Sequence, residues 1–222
     1  MALISSMVAA CGWSSPVPTS VVAKGAASSF GEQPEPIVIE AAPGYFRLER
    51  PQSNVVVLVH GPIGLISENG TRTRMKGGVA SSIQPWIFPF YTELATVGDS
   101  HLSITDGGGS SVASVPVQLI NLESFAKSND GMDSLRHTAS KITVSVSKSN
   151  FTPVQIHFFR TSRESSRSGA YVDAYLSDYR PVNGILLPFR YEERVGEHSQ
   201  MTIQLQSVEF NSAIPSADFN LF

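Results

Sequence analysis

AYVDAYLSDYRPVNGILLPFRYEERVGEHSQMTIQLQSVEF, residues 170–210, decides the fold class. Three extended segments follow one another there: Tyr171–Arg180, Ile185–Val195 and Gln200–Phe210. Asn183-Gly184 joins the first two and Gly196-Glu197-His198 the last two. Asn-Gly between apolar-rich runs predicts a two-residue hairpin, because both central residues of a type I′ turn need positive φ. In the last segment Met201, Ile203 and Leu205 point one way and Thr202, Gln204 and Gln206 the other. That is the period of a strand with one buried face. The C-terminal third reads as an antiparallel meander, and it carries no obvious catalytic group.

The same signals continue toward the N-terminus. Ile142, Val144 and Val146 alternate with polar residues, as do Val154, Ile156 and Phe158. Val21–Ser29, Ile37–Ala41, Tyr45–Arg50 and the valine run of Asn54–His60 read as strands. Asn69-Gly70 predicts a second hairpin between Leu65–Glu68 and Thr71–Lys76. Leu102–Thr105 and Val115–Ile120 read as strands around a flexible tip, Gly107-Gly108-Gly109-Ser110-Ser111. Leu122–Ala139 and the Ser/Arg-rich Arg160–Gly169 read as loops. Pro85 and Pro89 suit helix starts, and Phe90, Leu94 and Val97 recur on one face of a short helix. Clean alternation argues for antiparallel strands, and the class is mainly β with one or two short helices.

The chain has 222 residues, a length that one all-β domain commonly reaches. It can bury a sizeable core without disulfides. Charged residues are 16%, below the roughly 25% of an average domain, and net charge is −3. No basic patch is dense enough for nucleic acid; Arg72-Thr73-Arg74-Met75-Lys76 reads as a solvated hairpin arm. No apolar run approaches the ~20 residues of a membrane-spanning helix. Residues 1–20 read as an N-terminal helix and a Ser/Pro linker, and 21–222 as a single domain. Leu3, Met7 and Ala10 would form that helix's apolar side. The alternative at this end is a lipoprotein cleavage box, Val8-Ala9-Ala10-Cys11, which would make Cys11 a lipidation site.

Chemistry-bearing residues are sparse. Asn54–Gly64, with His60-Gly61, resembles the strand and His-Gly turn of α/β-hydrolases. The required G-x-S-x-G elbow is missing: Gly98-Asp99-Ser100-His101-Leu102 has Leu102 at the second glycine position. The five histidines have no metal-ligand spacing and no partner cluster. Glu192 and Glu193 are adjacent on a strand, so they point to opposite faces and cannot act as an acid/base pair. The residues therefore imply no catalytic group, no cofactor and no metal. A curved antiparallel sheet has a concave face, which the aromatic segment Trp86–Tyr91 could cover.

Several segments together resemble the LolA-like periplasmic carriers of outer-membrane lipoprotein sorting and the related mycobacterial-type lipid-binding lipoproteins. They are Tyr45-Phe46-Arg47-Leu48-Glu49-Arg50-Pro51; Val55–Val59 with the Asn-Gly hairpin and the aromatic helix after Pro85; Ser177-Asp178-Tyr179-Arg180 with Asn183–Arg190; and Ser207–Asn211 with Ile214 and Phe219. The resemblance implies an unclosed half-barrel with a short lid helix and a concave cavity for acyl chains. It implies a non-enzymatic carrier of a lipid or lipoprotein acyl group in the periplasm. The carrier would be a monomer that meets inner- and outer-membrane sorting proteins. Arg50 matches the arginine that holds the lid closed in the carriers. Trp86, Phe88, Phe90, Leu94, Leu187 and Phe189 would face the ligand. Alternatives are an envelope scaffold or stress-sensing protein that binds a protein partner on the same fold, and an α/β-hydrolase-like esterase.

Overall fold

The structure, a computed structural model, describes residues 2–12, 18–42, 45–60, 63–75, 102–124, 141–161 and 169–214. The described elements are one helix, α1 (Ala2–Ala10), and thirteen strands. The first six strands are β1 (Val21–Ser29), β2 (Glu35–Ala42), β3 (Tyr45–Arg50), β4 (Val55–His60), β5 (Ile63–Glu68) and β6 (Thr71–Arg74). The rest are β7 (Leu102–Val112), β8 (Val115–Ser124), β9 (Lys141–Ser147), β10 (Pro153–Thr161), β11 (Gly169–Val182), β12 (Ile185–Val195) and β13 (His198–Phe210). The sequence-predicted lid helix, with Trp86, Phe88, Phe90 and Leu94, lies outside the described residues.

All thirteen strands form one sheet in the order β6-β5-β4-β3-β2-β1-β13-β12-β11-β10-β9-β8-β7, not closed into a barrel. Each neighbour is antiparallel. β6 and β7, consecutive in sequence, form the two edges, and every neighbouring pair is consecutive in sequence except the central one. There β1 pairs with β13, Val21 opposite Phe210. So the chain winds out to one edge through β6 and returns from the other edge through β7. At that seam the register shifts between Lys24 and Gly25. A Cβ at Gly25 would lie 2.2 Å from the Gln204 carbonyl oxygen, so only glycine permits this approach.

Alternation puts one apolar face on the inside of the curve. Its residues align from strand to strand: Leu48 with Ile39, Ile39 with Ala23, Ala27 with Ile203, Ile203 with Tyr191, Tyr191 with Leu176. The row continues with Ala174, Ile156, Val144 and Ile120. Ala23, Ile39, Val144, Ala174 and Ile203 have no exposure at all. Met7 and Cys11 of α1 and its end join the same core. The helix is fastened where it ends: the Cys11 carbonyl accepts the Leu186 N–H at 2.8 Å. Gly12 has a φ of +69°, and a Cβ there would lie 2.0 Å from the Gly184 carbonyl oxygen.

Two readings change. The Gly107–Ser111 stretch is not a hairpin tip; it runs inside β7, with a register shift between Asp106 and Gly108. Asp106 Oδ1 accepts the Gly108 N–H at 2.7 Å within that bulge. A Cβ at Gly107 would lie 2.7 Å from Leu119 Cβ, so the glycine serves close strand contact. The turn is Ala113-Ser114, both with positive φ (45° and 68°). Arg160, read as the start of a loop, belongs to β10, and Leu122–Ser124, read as the start of another, belongs to β8.

Candidate functional site

The candidate site is the inner face. Ile185, Leu187, Phe189, Tyr191 and Glu193 follow one another at every second position of β12. Leu187 is 1% exposed and Phe189 4%. Both lie in the core cluster that spans the sheet. An acyl chain would meet them only after whatever covers them is displaced.

Two arginine clusters stand at one end of this face. Met201 connects them through the ladder, since it is opposite both Ser29 of β1 and Glu193 of β12. In the first, Arg50 Nε is ion-paired with Glu35 Oε1. Arg50 Nη2 reaches Glu32 Oε2 at 3.0 Å, and Nη1 reaches Ser29 Oγ at 3.4 Å. Glu35 also accepts the Ser53 N–H and the Ser53 hydroxyl, both at 3.0 Å. The hydrogen bond from Arg50, then that from Ser29, holds the Glu32 carboxyl below its ordinary pKa. This cluster ties the β1–β2 turn to the β3–β4 turn. The lid that Arg50 would hold lies outside the described residues.

In the second cluster Arg160 forms a bidentate pair with Glu193. Nη1 donates to Oε2 at 2.7 Å and Nη2 to Oε1 at 2.5 Å. Tyr191 donates its hydroxyl to Oε1 at 2.8 Å. The guanidinium carbon stands 5.4 Å from the centroid of the Phe158 ring. Glu193 is 1% exposed, while the Arg160 side chain is 23% exposed. Burial, then the Glu193 charge, pushes the Tyr191 hydroxyl well above its ordinary pKa, so it stays a donor. Alternation places Glu192 and Glu193 on opposite faces without assigning either to the inside, and in sequence Arg160 reads as the start of a loop; the structure puts Glu193 on the inner face and Arg160 on β10.

Three other reactive groups among the described residues, Cys11, His60 and His157, have local surroundings that explain them. Cys11 is buried, and that burial pushes its thiol up to about 11. His60 stacks on Tyr45 with centroids 4.1 Å apart. His157 pairs with Asp173 at 2.8 Å and stacks on Tyr171. Among the described residues no group of three His, Cys, Asp or Glu could hold a metal ion. The hydrolase likeness of Asn54–Gly64 fails on topology. β4 lies between antiparallel β3 and β5, whereas that fold needs parallel strands joined by helical crossovers.

No family model matches the chain, and no curated protein matches it in sequence. Solved structures match over nearly all of it. An outer-membrane lipoprotein-sorting protein domain from Vibrio parahaemolyticus has a TM-score of 0.60 at 10% identity, covering 99% of this chain and 95% of that one. A LolA superfamily protein from Nitrosomonas europaea has a TM-score of 0.57 at 12% identity, covering 98% and 97%. A DUF1329 family protein from Desulfovibrio piger has a TM-score of 0.58 at 12% identity, covering 99% and 95%. At such identities the likeness is one of fold, and the fold is the LolA-like unclosed half-barrel.

Proposed function

We propose that this protein binds and carries a lipid or lipoprotein acyl group on the concave face of its sheet, in the periplasm, without chemical change to the cargo. The observation that carries this reading is one apolar face that runs from β5 through the central β1–β13 pair to β8 in an open thirteen-stranded sheet. The Vibrio structure is that of a lipoprotein-sorting domain, which supports the same direction. Burying a methylene contributes about 0.8 kcal/mol, so a ~14-methylene chain would contribute about 11 kcal/mol. That is an upper bound, because Leu187, Phe189 and Ile203 are already covered here and cargo must replace their present neighbours. The cargo-facing residues are Leu187 and Phe189 on β12, with Trp86, Phe88, Phe90 and Leu94 from the lid segment. Arg50 steadies the turns beside the mouth. The carrier acts as a monomer, with inner- and outer-membrane sorting proteins as its donors and acceptors.

The test is native mass spectrometry of the protein expressed with an export signal, followed by solvent extraction and lipid analysis. A co-purifying acyl lipid near one per chain is expected. A clean apo mass, unchanged after addition of phospholipid or lipopeptide, overturns carriage. It would favour a second reading, a scaffold that binds a protein partner. One observation favours that reading: β7 forms an edge of the sheet, and Thr105–Ser111 on it is exposed. An exposed edge can accept a strand from another chain.

A further inference from the structure

Among the described residues the exposed large apolar side chains are Phe30, Val115, Phe151 and Tyr171. Two of them belong to neighbouring hairpin tips. Val115 opens β8 after the Ala113-Ser114 turn, and Phe151 stands in the turn from β9 to β10. β8 and β9 pair in the ladder, so the β7–β8 and β9–β10 tips lie side by side at one end of the sheet. The Lys148 N–H of one tip donates to the Pro116 carbonyl of the other at 3.0 Å. Val115 and Phe151 are each 38% exposed, and Pro116 is exposed as well.

Phe151 is held under strain. Its φ is +58°, in the left-handed region, where every other described non-glycine residue is Asn, Asp, Ser or Ala. A bulky side chain is disfavoured there, and asparagine adopts the same backbone with less strain. The turn around it is nonetheless tightly built. The Ser147 N–H donates to the Thr152 carbonyl at 2.9 Å, and the Phe151 N–H to the Ser147 carbonyl at 3.0 Å. Asn150 Oδ1 accepts the Thr152 hydroxyl at 2.9 Å. A firm turn thus presents a partly exposed ring on a backbone that the ring disfavours. Strain that persists in this way points to a use beyond the fold.

Charge says what that use is. Residues 113–116 and 148–151 contain Lys148 and no carboxylate. Lys148 leans onto β7 at Gly109, and Asp106 further along that strand is engaged by the Gly108 N–H and the Gln118 amide. The turns at the opposite end of the sheet carry Glu32 and Glu197, and Glu68 flanks another. Anionic lipids repel carboxylates and attract lysine, so the carboxylate-free tips suit a lipid surface and the opposite end does not. The patch is also small. Val115, Pro116 and Phe151 fall far short of the roughly 20–30 residues a side of a stable protein interface. Apolar groups at a tip need only part the headgroups to be buried.

We propose that the β7–β8 and β9–β10 tips form a membrane-touching wedge. Phe151, Val115 and Pro116 enter the boundary between headgroups and acyl chains, and Lys148 supplies the charge beside them. The contact is weak and reversible. It does not rest on the carriage reading, because the tips lie beyond the strand ends and cargo would lie on the sheet's inner face.

The experiment is flotation of the full chain with vesicles of mixed phosphatidylcholine and phosphatidylglycerol. The wild type should float, and Phe151→Asn should bind about fivefold more weakly. Asparagine suits the left-handed turn, so this variant should keep or raise the urea midpoint, which loss of a merely structural ring would lower. Val115→Thr, on the neighbouring tip, should weaken binding about twofold. Phe30→Ser is the control. Phe30 is 77% exposed, more than either, yet it lies in the turn that carries Glu32, so flotation should not change. Failure of the wild type to float overturns the wedge and leaves the tips to a protein partner. Undiminished flotation of Phe151→Asn, or an equal loss in Phe30→Ser, overturns it too. Should Phe151→Asn lower the midpoint, Val115→Thr decides, and binding equal to the wild type overturns the wedge. Carriage stands or falls separately, by whether an acyl lipid co-purifies.

Discussion

Arg50 and Arg160 stand at the same end of the same face, and each is paired with a buried glutamate. Their surroundings separate them. Arg50 and Glu35 stitch together chain that is close in sequence, from Ser29 to Ser53: Arg50 holds Ser29 Oγ, Glu32 and Glu35, and Glu35 accepts the Ser53 N–H. Arg160 reaches across β11 to β12 and lies on an aromatic ring. The first arrangement is what a turn needs to hold its shape. The second adds little to the sheet's own ladder, and it places a cation in an apolar wall. The same residue pair thus fastens neighbouring turns in one place and bridges separate strands in the other.

The largest effect should come from Glu193→Ala. It takes from Arg160 its buried carboxylate and from the Tyr191 hydroxyl its acceptor, so stability should fall by about 3–5 kcal/mol in urea denaturation. Replacing both members, Arg160→Met with Glu193→Leu, should cost less, about 1–3 kcal/mol, because the charges are gone and the buried Tyr191 hydroxyl alone loses its acceptor. A loss under about 1 kcal/mol for the single variant would mean the pair is not desolvated, and the contrast with Arg50 would collapse. Glu35→Ala should cost about 1–3 kcal/mol, because Ser53 loses its acceptor while Arg50 keeps Glu32.

Alkaline pH gives a smaller and different contrast, since only the Arg160 cluster contains a buried phenol. Tyr191 and Cys11 both hold their protons to higher pH in the folded protein than in the unfolded chain. Above pH 9 the unfolded state binds fewer protons than the native one, so stability falls as pH rises from 9 through about 11. Cys11→Ala should remove the lower part of that decline and leave the part that belongs to Tyr191. A flat profile over this range would contradict the burial of both groups. The smallest effect belongs to Glu32→Gln, which should leave the urea midpoint unchanged because Glu32 is exposed at the surface and Glu35 still holds Arg50.

Much of the strand pattern was legible because its causes are local. β1, β3 and β12 follow from alternation, with the bounds the structure shows. The Asn69-Gly70 and Asn183-Gly184 turns follow from residues that tolerate positive φ, which all four adopt. The glycines of β7 misled for a related reason: glycine marks either a turn or a close strand approach, and only the partner strand tells which. The central β1–β13 pairing was not legible, since it joins the two ends of the described sheet and no local signal encodes it. The same holds for the second arginine. Alternation separated Glu193 from Glu192, but nothing near it in sequence announces Arg160. Arg50 was found through a short motif, and its partners are local too.

The most direct measurement is photocrosslinking with a diazirine-bearing palmitate, mapped by peptide mass spectrometry. Adducts should fall on inner-face residues of β9 to β13, among them Val144, Phe158, Leu187, Phe189 and Ile203. Adducts confined to the outer surface, at Tyr171 or along the β7 edge, would contradict an acyl-carrying concave face.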